Sequence, residues 1–422
     1  MLLKFNTMKI LALKIFVDLL LFFFLFSGLS FIFGGVFTEL PKFIPLIWIL
    51  FILLIFIYQI AYLQEEVFKF KLRELLFWAA IFFFTLISLF LNDRLNLFNQ
   101  FFSVFIQVFS IYLIIPLLRG TNINQKTLND IEKRLEFFCW LNVVIVLLNF
   151  SFPSVSLFGE SYTIEGGSRA FGWMGDQIAI IFSFFISIFL AKQKYIKACI
   201  VFIALLATGS IGATFLALIV GIVFFWINFK EKIKSRKSQF SILLLCVFFI
   251  LFFYFYVLPN ATFFNRISTE TVNSSEEQGV GFHRLIAFQT ALETWSGNKF
   301  IGCGFGTYST IMHKKYDYLE NLYDSNISIT SMVNAFNQYL QFLVEIGLLG
   351  LIISIVFLKG MIKEIKIKIS EYKFAKGFYT WSIIFLIFNQ TAVWFLPGSI
   401  ILFIFFFSVA LSISYNQENL KG

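Results

Sequence analysis

Charged residues, cysteine and histidine are all scarce in this chain of 422 residues. Asp, Glu, Lys and Arg make up 14% of it, whereas an ordinary soluble domain carries about 25%. The four cysteines show no paired spacing and there are two histidines, so neither a disulfide framework nor a metal site is predicted. The shortage of charge excludes an ordinary soluble globule.

Nucleotide cofactors are not predicted either. The glycine-rich run GCGFG, from Gly302 to Gly306, is not followed by Lys-Ser/Thr as a Walker loop would be. No strand is predicted before it, as a dinucleotide fingerprint requires. We therefore expect neither ATP nor NAD, and no other cofactor.

Apolar residues, in contrast, make up 59% of the chain, with 63 phenylalanines. They form runs of roughly 17 to 25 residues, each long enough to cross a bilayer as a helix. The sequence therefore predicts an all-α polytopic membrane protein with about twelve transmembrane helices, and a first run that is retained rather than cleaved. The predicted spans lie near 15–35, 44–63, 76–92, 99–118, 137–152, 177–191, 197–210, 212–228, 240–258, from 336 onwards, 378–396 and 399–414.

The distribution of cations predicts the orientation. Of the 33 Lys and Arg residues, about 25 fall on the side of both termini in this twelve-span arrangement, and the positive-inside rule makes that side cytoplasmic. The net charge of +9 thus has a topological cause and does not predict a nucleic-acid partner. We expect one integral membrane domain over 1–422, a first external loop at 153–176, and a large external loop at 259–335 that contains short helices.

Arginines on the external side are the first candidates for chemistry, because a guanidinium can hold phosphate oxygens through paired hydrogen bonds. Arg169 lies in GGSRAFGWMGD, where glycines such as Gly172 permit tight turns beside an anion, with Asp176 at the end. Anchoring in lipid headgroups is the alternative role for these residues. The predicted external arginines are Arg94, Arg169, Arg266 and Arg284.

Two further features stand near the large loop. His283 precedes Arg284, which opens an amphipathic stretch from Leu285 to Trp295, and an imidazole can act as an acid or base. Glu345 falls inside the tenth predicted span, where a carboxylate is costly unless paired or functional. It either lines a cavity that opens outward or bonds to a neighbouring helix.

Three segments resemble the O-antigen polymerase and ligase superfamily (Wzy and its relatives), polytopic proteins that join lipid-linked glycans. They are SRAFGWMGDQIAI at 168–180, HRLIAFQTALETWSGNKFIGCGFGTYS at 283–309 and FNQYLQFLVEIGLLG at 336–350. The middle segment is similar to the family's arginine, helix and glycine-rich turn. The last is similar to its Asn, Tyr-Leu, Glu-x-Gly-x-x-Gly helix entry.

This resemblance implies a metal-independent glycosyltransferase of the bacterial cytoplasmic (inner) membrane. It would take glycan from a polyprenyl-diphosphate-linked oligosaccharide, with membrane lipids and a chain-length regulator protein as further candidate partners. Fixed cations would stabilise the departing diphosphate. The implied catalytic residues are Arg169, Arg284 and His283, and the implied substrate-binding residues are Gly172, Asp176, Gly302, Gly304, Asn337, Tyr339 and Glu345.

Two departures from the family pattern favour a polymerase over an O-antigen ligase. Ligases usually have a histidine directly before the asparagine of the last motif, where this chain has Phe336. They also tend to have an arginine in the turn after the seventh span, where this chain has Ile211. A ligase nevertheless stays an alternative.

Two other classes remain open. A lipid-linked glycan flippase or transporter should show repeated halves, interrupted helices and several charges near the bilayer midplane, and the sequence shows few of these. A noncatalytic membrane scaffold would make the external arginines dispensable.

Overall fold

The computed structural model of the protein is helical apart from one short pair of strands within the residues that it describes. Those residues are 10–11, 14–15, 17–18, 47, 49–51, 53–54, 68–119, 121, 123, 125–152, 162–164, 167–169, 177–229, 280–311, 337–367, 372–388 and 400–414. The described helices are α1 (Leu72–Leu91), α2 (Phe98–Tyr112), α3 (Ile114–Leu118), α4 (Gln125–Ser151), α5 (Gln177–Ala191), α6 (Tyr195–Ala207), α7 (Ile211–Phe229), α8 (Val280–Gly297), α9 (Gln338–Ile367), α10 (Lys373–Phe388) and α11 (Ile400–Ser414). A 3₁₀ turn, Leu95–Leu97, links α1 to α2.

Four of the described helical stretches are long and apolar enough to cross a membrane. They are Leu72–Leu91, Leu95–Leu118, Gln125–Ser151 and Gln338–Lys366. Helices α5, α6 and α7 are apolar but shorter over their apolar windows. The protein is therefore a helical membrane protein, while the number of twelve spans stays a prediction, because those near 15–35, 44–63 and 240–258 lie largely outside the described residues.

Several boundaries differ from the sequence prediction. Helix α4 begins at Gln125 rather than near 137, and α9 continues through Ile367 into the basic link predicted to follow it. Apolar windows locate the part of a helix that suits hydrocarbon, whereas Lys- and Glu-rich turns stay helical beyond it. The predicted external loop at 153–176 contains an antiparallel pair of strands, β1 (Tyr162–Ile164) and β2 (Gly167–Arg169).

Helix α5 is the centre of one half of the bundle and packs against α6, α7 and α10. Its serines serve the packing, because Ser187 Oγ donates to the carbonyl of Gly377 at 2.7 Å, and Trp381 Nε1 donates to Ser183 Oγ at 2.9 Å. A Cβ on Gly377 would lie 2.9 Å from the Cα of Ile188. Small residues and hydroxyl groups thus let these helices approach closely, as expected where hydrophobic burial does not drive helix association.

Ion pairs gather at the end of the bundle where α1 begins and α9 ends. Arg119 Nη1 donates to the buried Glu74 at 2.9 Å, and Lys71 Nζ lies 2.6 Å from Glu364. Burial, followed by the charges of Arg119 and Arg73, lowers the pKa of Lys71. A second group at the start of α4 pairs Lys192 with Glu132 and Lys197 with Glu136. These cations belong to the links that the sequence assigns to the cytoplasmic side.

Candidate functional site

Helix α9 is interrupted at Gly347, whose φ of 67° and ψ of −173° are not helical. The interruption frees two backbone carbonyls before Gly347 and two backbone amides after it. All four groups form hydrogen bonds with the segment 299–304. Inside a membrane protein such irregular backbone is tolerated only where it is buried in protein or lines a cavity. The four bonds are Cys303 N to Val344 O at 2.8 Å, Gly304 N to Glu345 O at 2.8 Å, Leu348 N to Lys299 O at 2.9 Å and Leu349 N to Phe300 O at 3.2 Å.

The glycine turn, defined here as residues 299–308, requires its glycines for two reasons. Gly302, Gly304 and Gly306 have φ values of 71°, 111° and 71°, a region that other residues rarely adopt. A Cβ on Gly302 would also lie 2.6 Å from the backbone nitrogen of Gly347. Only glycine therefore lets the turn enter the interruption of α9.

Backbone amides of the glycine turn are directed into the protein. The amide of Phe305 donates to Thr85 Oγ1 at 3.1 Å, and those of Gly306 and Tyr308 face the Glu345 carboxylate. The remaining amides from 302 to 307 donate to backbone carbonyls, at Asn298, Val344, Glu345 and Gly304. The amides of the glycine turn are thus used in hydrogen bonds within the protein, several of them to α9. Gly302 and Gly304 therefore shape the site rather than present donors to an anion.

The end of α1 and the start of α2 fasten the other side of the glycine turn. Ser88 Oγ donates to the carbonyl of Gly302 at 2.6 Å, and Gln100 Nε2 donates to the carbonyl of Gly306 at 2.9 Å. Thr310 Oγ1 donates to Gln100 Oε1 at 2.6 Å. Two spans of the first half of the chain therefore hold a turn that lies some two hundred residues later in sequence.

Glu345 is enclosed by the glycine turn and is 5% exposed. Its Oε1 accepts a hydrogen bond from Gln341 Nε2 at 2.6 Å, and the amides of Gly306 and Tyr308 face the same group. A buried carboxylate in a membrane helix is costly unless such donors compensate it. The Glu345 carboxylate is thus compensated by Gln341 of its own helix and by the amides of the glycine turn.

Cys303 lies beside this carboxylate and is fully buried. Burial, followed by the negative charge of Glu345, raises the pKa of the Cys303 thiol to about 12. Because the thiolate is the nucleophilic form of cysteine, this side chain acts as a small packing group.

The first turn of α9 carries two further predicted site residues. Asn337 Oδ1 accepts hydrogen bonds from the amides of Tyr339 and Leu340, at 2.9 and 3.1 Å, so Asn337 caps the helix. The Tyr339 hydroxyl donates to the carbonyl of Leu386 in α10. The glycine turn, Asn337 and Glu345 are thus brought together at one end of α9.

The predicted catalytic residues are positioned through their backbone alone. Arg169 ends β2, opposite Tyr162, while His283 and Arg284 lie within the first two turns of α8. Helix α8 packs against α9 and leads directly into the glycine turn, so it belongs to the same end of the bundle. Gly172, Asp176, Arg266 and Phe336 lie outside the described residues.

Arg94 also lies at this end, in the link between α1 and α2. Its charge acts on the Cys303 thiol. Its Nη1 atom is buried and has no hydrogen-bond partner in the part of the chain that the structure describes. Of the four arginines predicted to be external, Arg94 is therefore the one whose side chain the structure describes, and it lies near the glycine turn.

Sequence reasoning missed the polar side chains that hold the turn. Gln341 could have been found, because residues four apart share a helix face and Gln341 precedes Glu345 by one such step. Thr85, Ser88 and Gln100 gave no signal, since each looks like an ordinary polar residue within or beside an apolar span.

Residues 196–355 match a family model described as O-Antigen ligase. This stretch runs from α6 to the middle of α9, and it includes Arg284, the glycine turn and Glu345. The match confirms the resemblance to the O-antigen polymerase and ligase superfamily, over fewer than half of the residues of the chain. No curated protein sequence matches the chain.

Proposed function

We propose that this membrane protein, part of which matches the O-Antigen ligase family model, is a polysaccharide polymerase of O-antigen or capsule type. It transfers glycan from a polyprenyl-diphosphate-linked donor to a lipid-linked acceptor at the outer face of the bacterial cytoplasmic membrane. The observation that carries the proposal is the glycine turn locked into α9 within the matched region. This junction fixes α8, and with it Arg284, against the end of a spanning helix, where a lipid-borne substrate is met.

The chemistry assigned to the site is stabilisation of a leaving group. Departure of the diphosphate develops negative charge, and fixed cations beside it lower the transition state more than the ground state. We assign that role to Arg169 and Arg284, and removal of the acceptor proton to His283 or a nearby carboxylate. Glu345 is enclosed, so its contribution under this proposal is to hold the turn rather than to touch the glycan.

Two positions favour a polymerase over a ligase under this proposal. Phe336 replaces the histidine that ligases usually have, and Ile211 replaces their arginine. Ile211 is the first residue of α7, directly after a turn in which Gly209 has a φ of 64°. A cell that lacks the gene should show single repeat units on its surface glycan under this assignment. Long lipid-linked chains without transfer to their final anchor would identify a ligase instead.

A lipid-linked glycan transporter is the second candidate, because α9 is interrupted beside a buried carboxylate. Discontinuous helices with polar groups near the interruption are a feature of transporter sites. In this chain, however, the freed backbone groups pair with the glycine turn and leave no open coordination site there among the described residues. Loss of a transporter would leave repeat units on the cytoplasmic side, which separates it from both enzymes.

The experiment for the paired-arginine site replaces Arg169 and Arg284, each by Lys and by Ala, and measures glycan length on gels. Lysine keeps the charge and loses the bidentate geometry, so all four variants should lose long chains. Lys299→Ala removes an exposed cation from the first residue of the glycine turn and keeps its backbone carbonyl, which accepts from Leu348. It is the matched control and should retain long chains. Headgroup anchoring forecasts the opposite for the Lys variants, because lysine snorkels about as well as arginine. Wild-type chain length in both would refute the site, provided that membrane levels are equal.

A further inference from the structure

A cavity of about 260 Å³ lies between α4 and helical residues near the N-terminus, away from the glycine turn. It is on the part of α4 that carries Glu132, which pairs with Lys192 at the cation-rich end of the bundle. Pockets that enclose a drug-sized ligand measure roughly 300–1,000 Å³, so this one suits a small polar group. Its described lining residues are Lys14, Val17, Asp130, Ile131, Lys133 and Arg134.

The lining combines an apolar floor with a cationic rim. Val17 and Ile131 are 1% and 2% exposed. Three of the lining residues are cations and one, Asp130, is an exposed carboxylate. Asp18 stands beside them and accepts a hydrogen bond from Arg134. The described rim therefore keeps a net positive charge even when both carboxylates are counted.

The cavity also lies where α4 enters its apolar section. Phe137 follows Arg134 by three residues, which places it on a neighbouring part of the same helix face one turn deeper. Its side chain is 65% exposed, although it belongs to a helix that is long and apolar enough to cross the membrane. An exposed phenylalanine at this depth is a surface for lipid chains, so the cationic rim stands directly above lipid.

We propose that this cavity binds the phosphate headgroup of an anionic membrane phospholipid, with one acyl chain along α4 past Phe137. Lys14, Lys133 and Arg134 supply charge-assisted hydrogen bonds to the phosphate oxygens, and basic pockets between spanning helices suit such headgroups. The site is independent of the glycosyl-transfer proposal, because it lies at the other end of α4 from the external loops. Free phosphate shares the headgroup's chemistry but would gain nothing from Phe137.

The test counts lipids bound to the purified full-length protein by native mass spectrometry. Phosphatidylglycerol and phosphatidylcholine, matched in their acyl chains, are titrated separately, and glycerol 3-phosphate serves as the tail-free probe. We expect preferential binding of phosphatidylglycerol and none of glycerol 3-phosphate at the same concentrations. One surface cation is worth about a five-fold change in lipid affinity. Lys133→Gln and Lys14→Gln should therefore each lower the affinity for phosphatidylglycerol by about that factor.

Lys126→Gln is the matched control, because it removes the same charge from an exposed position of α4 outside the cavity. It should leave the affinity unchanged. Equal binding of the two lipids would overturn the proposal, as would an equal loss in the Lys126 and Lys133 variants, which marks diffuse attraction. Binding of glycerol 3-phosphate as strong as that of the lipid would also overturn it, since the site would then hold a phosphate without its tail.

Discussion

Replacing Gly347 by alanine tests whether the glycine turn and α9 form one interlocked unit. The backbone of Gly347 has a φ of 67° and a ψ of −173°, a combination that is essentially confined to glycine. An added Cβ would also lie within 2.5 Å of the backbone nitrogen of Ile301. Because its closest neighbours are backbone atoms, no side-chain rotation can relieve the contact.

The expected destabilisation is the sum of two effects. Holding alanine in this backbone conformation costs about 1–3 kcal/mol. Moving the turn away breaks the bonds from Leu348 to Lys299 and from Leu349 to Phe300, each worth about 0.5–1.5 kcal/mol net. Gly347→Ala should therefore destabilise the protein by about 2–6 kcal/mol, and it should shorten the glycan product because α8 loses its fixed position.

Gly221→Ala is the control for this prediction. Gly221 lies within α7, and an added Cβ would meet nothing within 4 Å, so alanine there should stabilise the helix by about 0.5–1 kcal/mol. The measurement is the fraction of purified protein that stays monodisperse after heating, by size-exclusion chromatography, with glycan length scored in cells. Equal thermal stability of the two variants would show that the turn does not depend on Gly347.

Two further outcomes follow from the positions of single side chains. In a variant that retains Cys303 as its sole cysteine, maleimide should not react at pH 8 until the protein is unfolded. The reason is that a pKa of about 12 leaves on the order of one thiolate in ten thousand. Rapid labelling of the folded protein would contradict the enclosure of Cys303. In intact cells with the native cysteines removed, an impermeant thiol reagent should label Ser296→Cys, next to the glycine turn, and leave Asn129→Cys, on the cation-rich part of α4, unlabelled. The reverse pattern would invert the predicted orientation.

The class of protein follows from local properties of the sequence. Apolar windows predict the spanning regions around α1, α2 and α9 because transfer into hydrocarbon depends on the composition of each segment by itself. Apolar windows predict the ends of helices less accurately, as at Gln125 and Ile367. The windows do not detect charged turns that stay helical outside the apolar layer.

The candidate site likewise has features that the sequence predicts and features that depend on tertiary contacts. The motif at 336–350 marks Asn337 and Glu345 from sequence, and the cap at Asn337 needs only its own neighbours. The enclosure of Glu345 needs the amides of a turn nearly forty residues earlier, and that turn needs Ser88 and Gln100. No local pattern encodes such partners.

The sequence by itself determined a polytopic helical membrane protein and the segments that resemble glycan polymerases and ligases, because hydrophobic transfer and motif spacing act within short stretches of chain. The side of each basic link stays a prediction from charge. The tertiary structure alone decided that the amides of the glycine turn are directed into α9. It also decided that Glu345 holds that turn, and that Lys14 meets Lys133 and Arg134 around one cavity. The physical reason is that a hydrogen bond or an ion pair between distant segments depends on helix packing, which brings together residues that share no sequence pattern.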